Sequence, residues 1–183
     1  PYTPDTIERS RNQSREFSVI QNSIPVLKKL MEEVSFPQVD IHVTEWNFSV
    51  SSLNSLNDHC MKGAYLMKTM IDCVDMVDIM GYWTGSDLFA SYHDFKAILH
   101  GGGGLISKDG IRKPAYYAFD FMNRLGKYMR MKGDNYIITD NGAGNWRIVC
   151  HNLKTLDYKY SLMLEDEVRT SEINTLFTDL KKP

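Results

Sequence analysis

Val39-Asp40-Ile41-His42-Val43-Thr44-Glu45-Trp46-Asn47 is the stretch that decides the fold. Val39, Ile41 and Val43 alternate with other side chains, and their β-branched carbons favour an extended, pleated backbone. The pattern predicts a strand over 39–46 that ends in a carboxylate followed by an indole. A glutamate at the end of a buried strand is costly unless it is paired or hydrogen-bonded. In a (β/α)8 barrel, strand C-termini are where catalytic groups gather. Glu45 is therefore a candidate catalytic carboxylate, and Trp46 offers a flat apolar face on which a sugar ring can stack. On the tetrapeptide 44–47 alone, a salt-bridged glutamate beside a packing tryptophan is an equal reading.

Upstream, Pro1 and Pro4 make residues 1–11 a loop. Phe17, Ile20, Ile24, Leu27, Leu30, Met31 and Val34 then recur at helical spacing through residue 35. Pro25 interrupts them. It either opens a second helix capped from Asn22 or Ser23, or kinks one long helix. Downstream, Asp58 is a candidate N-cap for a helix to about Asp72, and Val74 to Trp83 reads as a second buried strand. A long loop runs to Gly101–Gly104, and Asp109-Gly110 signals a tight turn. Pro114 opens a further helix with Tyr117, Phe121, Leu125 and Tyr128 on one face. After residue 130 the pattern changes to short strand-like runs, Tyr136–Thr139, Trp146–His151 and Tyr158–Leu164. The expectation is an α/β chain: a parallel unit over 1–130, then part of an antiparallel β-sandwich over 131–183. Two strands cannot cover both faces of a parallel sheet, so other chain must complete it.

Composition narrows the function. The chain has 183 residues, is 43% hydrophobic and 24% charged, and carries a net charge of -2. That is a foldable mixture with no basic stripe, so nucleic-acid binding by this segment is not expected. There is no apolar run long enough to span a membrane. Cys60, Cys73 and Cys150 form no C-x-x-C pair. They read as buried free thiols of a reducing, cytoplasmic compartment rather than as metal ligands or disulfides. No cluster has metal spacing and no phosphate loop occurs, so neither a metal nor a cofactor is expected. The first residue, Pro1, predicts a segment of a larger protein.

A second informative segment is Met80-Gly81-Tyr82-Trp83-Thr84-Gly85-Ser86-Asp87-Leu88-Phe89. It brings aromatic and hydrogen-bonding groups to the end of the second strand. Trp83 is placed to floor a sugar subsite, with Tyr82, Asp87 or Phe89 lining its opening; an aromatic core cluster is the plainer alternative. His100-Gly101-Gly102-Gly103-Gly104 has the look of an esterase oxyanion loop, but no G-x-S-x-G elbow accompanies it. The run is expected to be a flexible loop whose glycines let the backbone approach a sugar.

The stretches Ile41–Ser52, Gly81–Phe89, His100–Gly104 and Lys113-Pro114-Ala115-Tyr116-Tyr117-Ala118-Phe119 together resemble glycoside hydrolase family 39. That family contains β-xylosidases and α-L-iduronidases, and the resemblance covers most of residues 1 to about 165. It implies the C-terminal portion of a (β/α)8 barrel followed by part of a β-sandwich. It implies that Glu45 ends the seventh strand as the nucleophile of a retaining mechanism. Trp46, Asn47, Tyr82, Trp83 and Phe89 would bind substrate, with Tyr2 placed just after the sixth strand. The family's acid/base lies in an Asn-Glu-Pro motif on the fourth strand, and no such motif occurs here. The resemblance thus implies a xyloside-type carbohydrate ligand and a segment that is inactive alone. A partial barrel exposes apolar edges, so self-association or pairing with a missing N-terminal half is expected. A second reading is the sugar-sensing, glycosidase-like domain of an AraC-type transcriptional regulator. A third is an unrelated α/β domain with no sugar site.

Overall fold

A computed structural model describes residues 18–48, 54–89 and 97–153. Tyr2, the side chain of Phe89 and the strand expected over Tyr158–Leu164 lie outside the described residues. Residues Pro1–Asn152 form one compact unit and Leu153–Pro183 a second. All the elements below belong to the first.

Helix α1 spans Val19–Glu33 without a break, with Pro25 inside it. The chain thus takes the single-helix alternative, although proline has no N–H to give the preceding turn. Gln21 and Ile24 are its buried residues. Gln21 donates from Nε2 to the Asp72 carboxylate at 3.0 Å, tying α1 to the helix that follows. Val26, Leu27, Leu30 and Val34 stay exposed, so most of its apolar stripe is uncovered by the described residues.

Strand β1, His42–Trp46, pairs in parallel with β2, Ile79–Tyr82. Both are shorter than their apolar runs. Residues 39–41 precede β1, and the entry to the pair is fastened by Asp78: its carboxylate accepts from Ile41 N at 2.8 Å, and its own N–H donates to Ile41 O at 2.9 Å. His42, which opens β1, is exposed. Gly81 sits so close to β1 that a Cβ would meet the Thr44 carbonyl oxygen at 2.5 Å. Gly81→Ala is expected to cost about 1–3 kcal/mol, because backbone cannot yield as a side-chain tip can; urea unfolding of the variant checks this.

Helix α2 spans Cys60–Cys73. Its N-cap is His59, whose Nδ1 accepts from Met61 N at 3.1 Å. Asp58, the expected cap, sends its carboxylate elsewhere. Leu66, Ile71 and Cys73 of α2 are fully buried, as are Ala115 and Ala118 of helix α3, Pro114–Asn123. A Cβ on Gly63 would lie 3.0 Å from the Pro114 carbonyl oxygen. The two helices therefore meet through small residues. This overturns the expected face: Tyr117 and Phe121 are exposed, and the helix stops before Leu125. Large rings would hold α3 too far from α2.

Tyr128 instead opens β3, Tyr128–Gly133, followed by β4, Tyr136–Asp140, and β5, Trp146–Cys150. They form an antiparallel meander in the order β3-β4-β5. Ile137 and Thr139 turn one face of β4 inward. Lys132 reaches the end of α2, pairing with Asp75 at 2.9 Å and donating to the Asp72 carbonyl at 3.4 Å. A cation there offsets the negative end of the helix. The fold class is α/β, as the strand and helix patterns predict. Of the cysteines only Cys73 is buried; Cys60 and Cys150 are exposed free thiols, against the expectation that all three are buried.

Candidate active site

The ends of β1 and β2 gather the residues that the sequence marks. Trp46 is 5% exposed. Its ring stands edge-on to Tyr82 at 5.6 Å and tilted to Phe119 of α3 at 6.4 Å. The structure thus uses this indole for packing rather than display, a correction to the stacking role. Glu45, one residue earlier, lies where the β1–β2 register shifts between Val43 and Trp46. It is exposed, which removes the desolvation cost that a buried strand end would impose.

Trp83, just past β2, is the indole that reaches solvent, at 54% exposure. The Trp83 backbone N–H donates to the Trp46 carbonyl at 2.9 Å, and the Trp83–Thr84 peptide is cis. Asn47 binds the two strand ends together. Its Nδ2 donates to the Trp83 carbonyl and, at 3.3 Å, to that of Gly103. Its Oδ1 accepts from Phe48 N at 2.6 Å. The single hydroxyl proton of Tyr82 faces the Gly103 carbonyl at 2.7 Å and Asn47 Oδ1 at 3.2 Å. Burial, with Asp87 nearby, pushes the Tyr82 phenol far above its usual range, so it stays a donor. Asn47 and Tyr82, both expected to touch substrate, spend these polar atoms on the protein itself. Phe89 ends a short turn, Asp87–Phe89.

The run Gly101–Gly104, expected to be flexible, is held at five of its eight backbone polar atoms. Gly101 N donates to Asp58 at 2.6 Å, and Gly104 N to Asp87 at 2.7 Å. The Gly101 carbonyl accepts from Asn57 Nδ2 at 2.8 Å. The Gly102 carbonyl accepts from Lys113 at 2.6 Å. Lys113 is fully buried and also pairs with Asp58 at 2.6 Å and Asp87 at 2.9 Å. Lys62, also fully buried, donates to Asn57 Oδ1 at 2.9 Å and to the Gly103 carbonyl at 3.0 Å. Gly101 takes a φ of +78°, a region that glycine enters without penalty.

Two lysines thus face two aspartates in a buried cluster directly behind the strand ends. Sequence reading did not find it. Lys62 carried one signal: it lies four residues before Leu66, on the buried face of α2. Nothing local links it to Asp58, Asp87 or Lys113. Among the described residues no group of His, Cys, Asp and Glu is placed to hold a metal ion. Nor is any described helix long and apolar enough to cross a membrane.

Burial, and then the Lys113 charge, lower the Lys62 pKa to about 7. An unfolded lysine titrates near about 10.4. Between those values the unfolded chain binds a proton that the folded chain has released, so stability rises with pH there. Below about 7 both states are charged and the burial cost is complete. Cys73, raised by burial to about 11, acts oppositely once an unfolded thiol ionises near about 8.5. The urea midpoint is therefore expected to climb from about pH 7 to about 8.5. The same titration of Lys62→Met should be flat.

With this geometry in place, the chain can be compared with known proteins. The model of glycosyl hydrolases family 39 matches residues 5–139. A "Beta-xylosidase" of Geobacillus stearothermophilus is 35% identical over 127 residues, 69% of this chain and 25% of that protein. Another "Beta-xylosidase", of Caldicellulosiruptor saccharolyticus, is 36% identical over 100 residues, covering 54% of this chain and 20% of its own length. The crystal structure of a monomeric beta-xylosidase from Caulobacter crescentus CB15 superposes with a TM-score of 0.64 at 27% identity, covering 70% of this chain and 26% of that one. The chain therefore spans a fifth to a quarter of the length of these curated relatives.

Proposed function

The chain belongs to glycosyl hydrolases family 39, and on that premise we propose that it is the C-terminal catalytic part of a retaining β-xylosidase with Glu45 as nucleophile. One observation carries the reading. An exposed carboxylate ends one of two parallel strands, and an exposed indole, Trp83, follows its neighbour. The relatives named beta-xylosidases support a xyloside substrate, which we read as xylo-oligosaccharides.

In this reading β1 and β2 are the seventh and eighth strands of a (β/α)8 barrel, residues 1–130 being its C-terminal part. Residues 131–183, with β4 and β5, belong to a flanking β-sandwich. The Glu45 carboxylate attacks the anomeric carbon as the bond to the leaving oxygen breaks. A second carboxyl group about 5–5.5 Å away protonates that oxygen and then deprotonates the water that releases the sugar. That second group is not in this chain. Trp83 provides the stacking face. Asn47 and Tyr82 hold the two strand ends in register, and Trp46 wedges them against α3. The uncovered apolar residues of α1 are the surface on which the rest of the barrel, or another copy, would pack.

The purified 183 residues are expected not to hydrolyse aryl β-xylosides; turnover by this chain alone would overturn the assignment of roles. A direct test uses a 2-deoxy-2-fluoro-xyloside with an activated leaving group, on a protein that carries this segment within a complete barrel. Such a group departs without protonation, and the 2-fluorine slows the attack of water that would release the sugar, so the sugar stays on the nucleophile. Peptide mapping should find it on Glu45, and label on any other carboxylate sinks the reading.

A further inference from the structure

We propose that Lys62 is a positioning residue for the rim that carries Glu45 and Trp83. Its buried Nζ grips the Gly103 carbonyl that Tyr82 and Asn47 also grip, and proton uptake at Nζ displaces that carbonyl and what it holds. The functional meaning rests on the glycosidase reading above; the coupling itself does not.

The geometry gives one oxygen three donors. The Gly103 carbonyl lies 2.7 Å from the Tyr82 hydroxyl, 3.0 Å from Lys62 Nζ and 3.3 Å from Asn47 Nδ2. Asn47 is two residues beyond Glu45, and its other bond from Nδ2 holds the Trp83 carbonyl. Movement of Gly103 therefore passes through a single side chain to both candidate substrate-facing residues.

Lys62 has two acceptors, Asn57 Oδ1 and the Gly103 carbonyl. A neutral amine has two N–H groups and satisfies both. An ammonium has a third, and it adds positive charge to a crowded cluster. The charged groups that face it come from every surrounding element. Lys113 precedes α3, Asp87 follows β2, and Asp58 lies in the turn before α2. The Tyr82 ring of β2 is 5.5 Å away. Both carboxylates are already engaged by Lys113. A protonated Lys62 is repelled by Lys113 and drawn toward aspartates it must share. The grip on Gly103 changes, and the longest of its three bonds, that of Asn47, is the first to give. Burial places the proton equilibrium at about 7, so both forms are populated near neutrality.

The coupling can be read without substrate, by NMR of the whole 183-residue chain from pH 5.5 to about 9. The measured signals are the Lys62 ε-carbon, the Gly103 and Gly104 amides, the Asn47 side-chain amide and the Trp83 indole. A Lys62 midpoint near 7, shared by the other four signals, is the expected result. In Lys62→Met the Gly104 and Asn47 shifts should lose that step, with the far-ultraviolet circular dichroism unchanged. A step that survives in Lys62→Met does not arise at Lys62 and overturns the proposal. So does a Lys62 ε-carbon titrating only above about 9, or rim signals that ignore it. The ε-carbon measurement uses the unaltered chain, so the test stands even where the variant fails to fold. Should Glu45 prove not to be the nucleophile, the shared midpoint would remain, which separates the two failures.

Discussion

In a protein that carries this segment on a complete barrel, Glu45→Gln is expected to lower kcat for xyloside hydrolysis by about four orders of magnitude or more, the scale on which a removed nucleophile is felt. Glutamine keeps the size of the side chain and loses the carboxylate that attacks. Little else should change. Glu45 is exposed and has no hydrogen-bonding partner among the described residues, so the substitution should move unfolding by no more than about 0.5 kcal/mol. The pairing of a large kinetic loss with unaltered stability separates a nucleophile from a structural glutamate. Product stereochemistry separates it from an acid/base. With Glu45→Gly, azide can occupy the vacated space and attack from the nucleophile's side, giving the sugar azide of inverted configuration. A retained azide would assign Glu45 the other role.

Lys113→Met should be as damaging to the fold as the first substitution is to the chemistry. Removing this ammonium leaves Asp58, Asp87 and the Gly102 carbonyl around a side chain that offers them nothing. Breaking a buried pair from one side costs about 3–5 kcal/mol, because the remaining charge is uncompensated. Whole domains are stable by only about 5–15 kcal/mol. The variant is expected to lose its cooperative urea transition or to shift it to much lower denaturant. Adding Asp87→Asn should recover part of the loss, since one stranded charge is then removed. A Lys113→Met chain that unfolds like the parent would mean that the cluster is wet and contributes little. Lys113 is also N-cap to α3 and follows the glycine run in sequence. Its loss should therefore disorder both, which amide exchange at Gly102 to Gly104 would register.

These expectations rest on different levels of information. The Thr44-Glu45-Trp46-Asn47 segment was legible because strand pattern, terminal carboxylate and neighbouring indole are all local. So were the α/β class, the Gly81 and Trp83 segment, the helix opened by Pro114 and the family. Local pattern misled where packing chose between alternatives that looked equal. Tyr117 and Phe121 have helical spacing, yet Ala115 and Ala118 carry the buried face, since only small residues let α3 approach Gly63. Trp46 and Trp83 are both indoles at strand ends. Which one is displayed depends on the ring of Phe119, more than seventy residues from Trp46 in the chain.

The sequence by itself determined most of the elements, β3 excepted, and which carboxylate stands near a strand end, because backbone preference acts between near neighbours. Only the tertiary structure decided the role of each side chain around that carboxylate. Asp58, Lys62, Asp87, Lys113 and the glycines they hold are scattered over more than forty residues. Charges so far apart in sequence have no local signature. They become a cluster only when folding brings them together, and that buried contact ties a lysine on a helix face to the carbonyl of a distant loop.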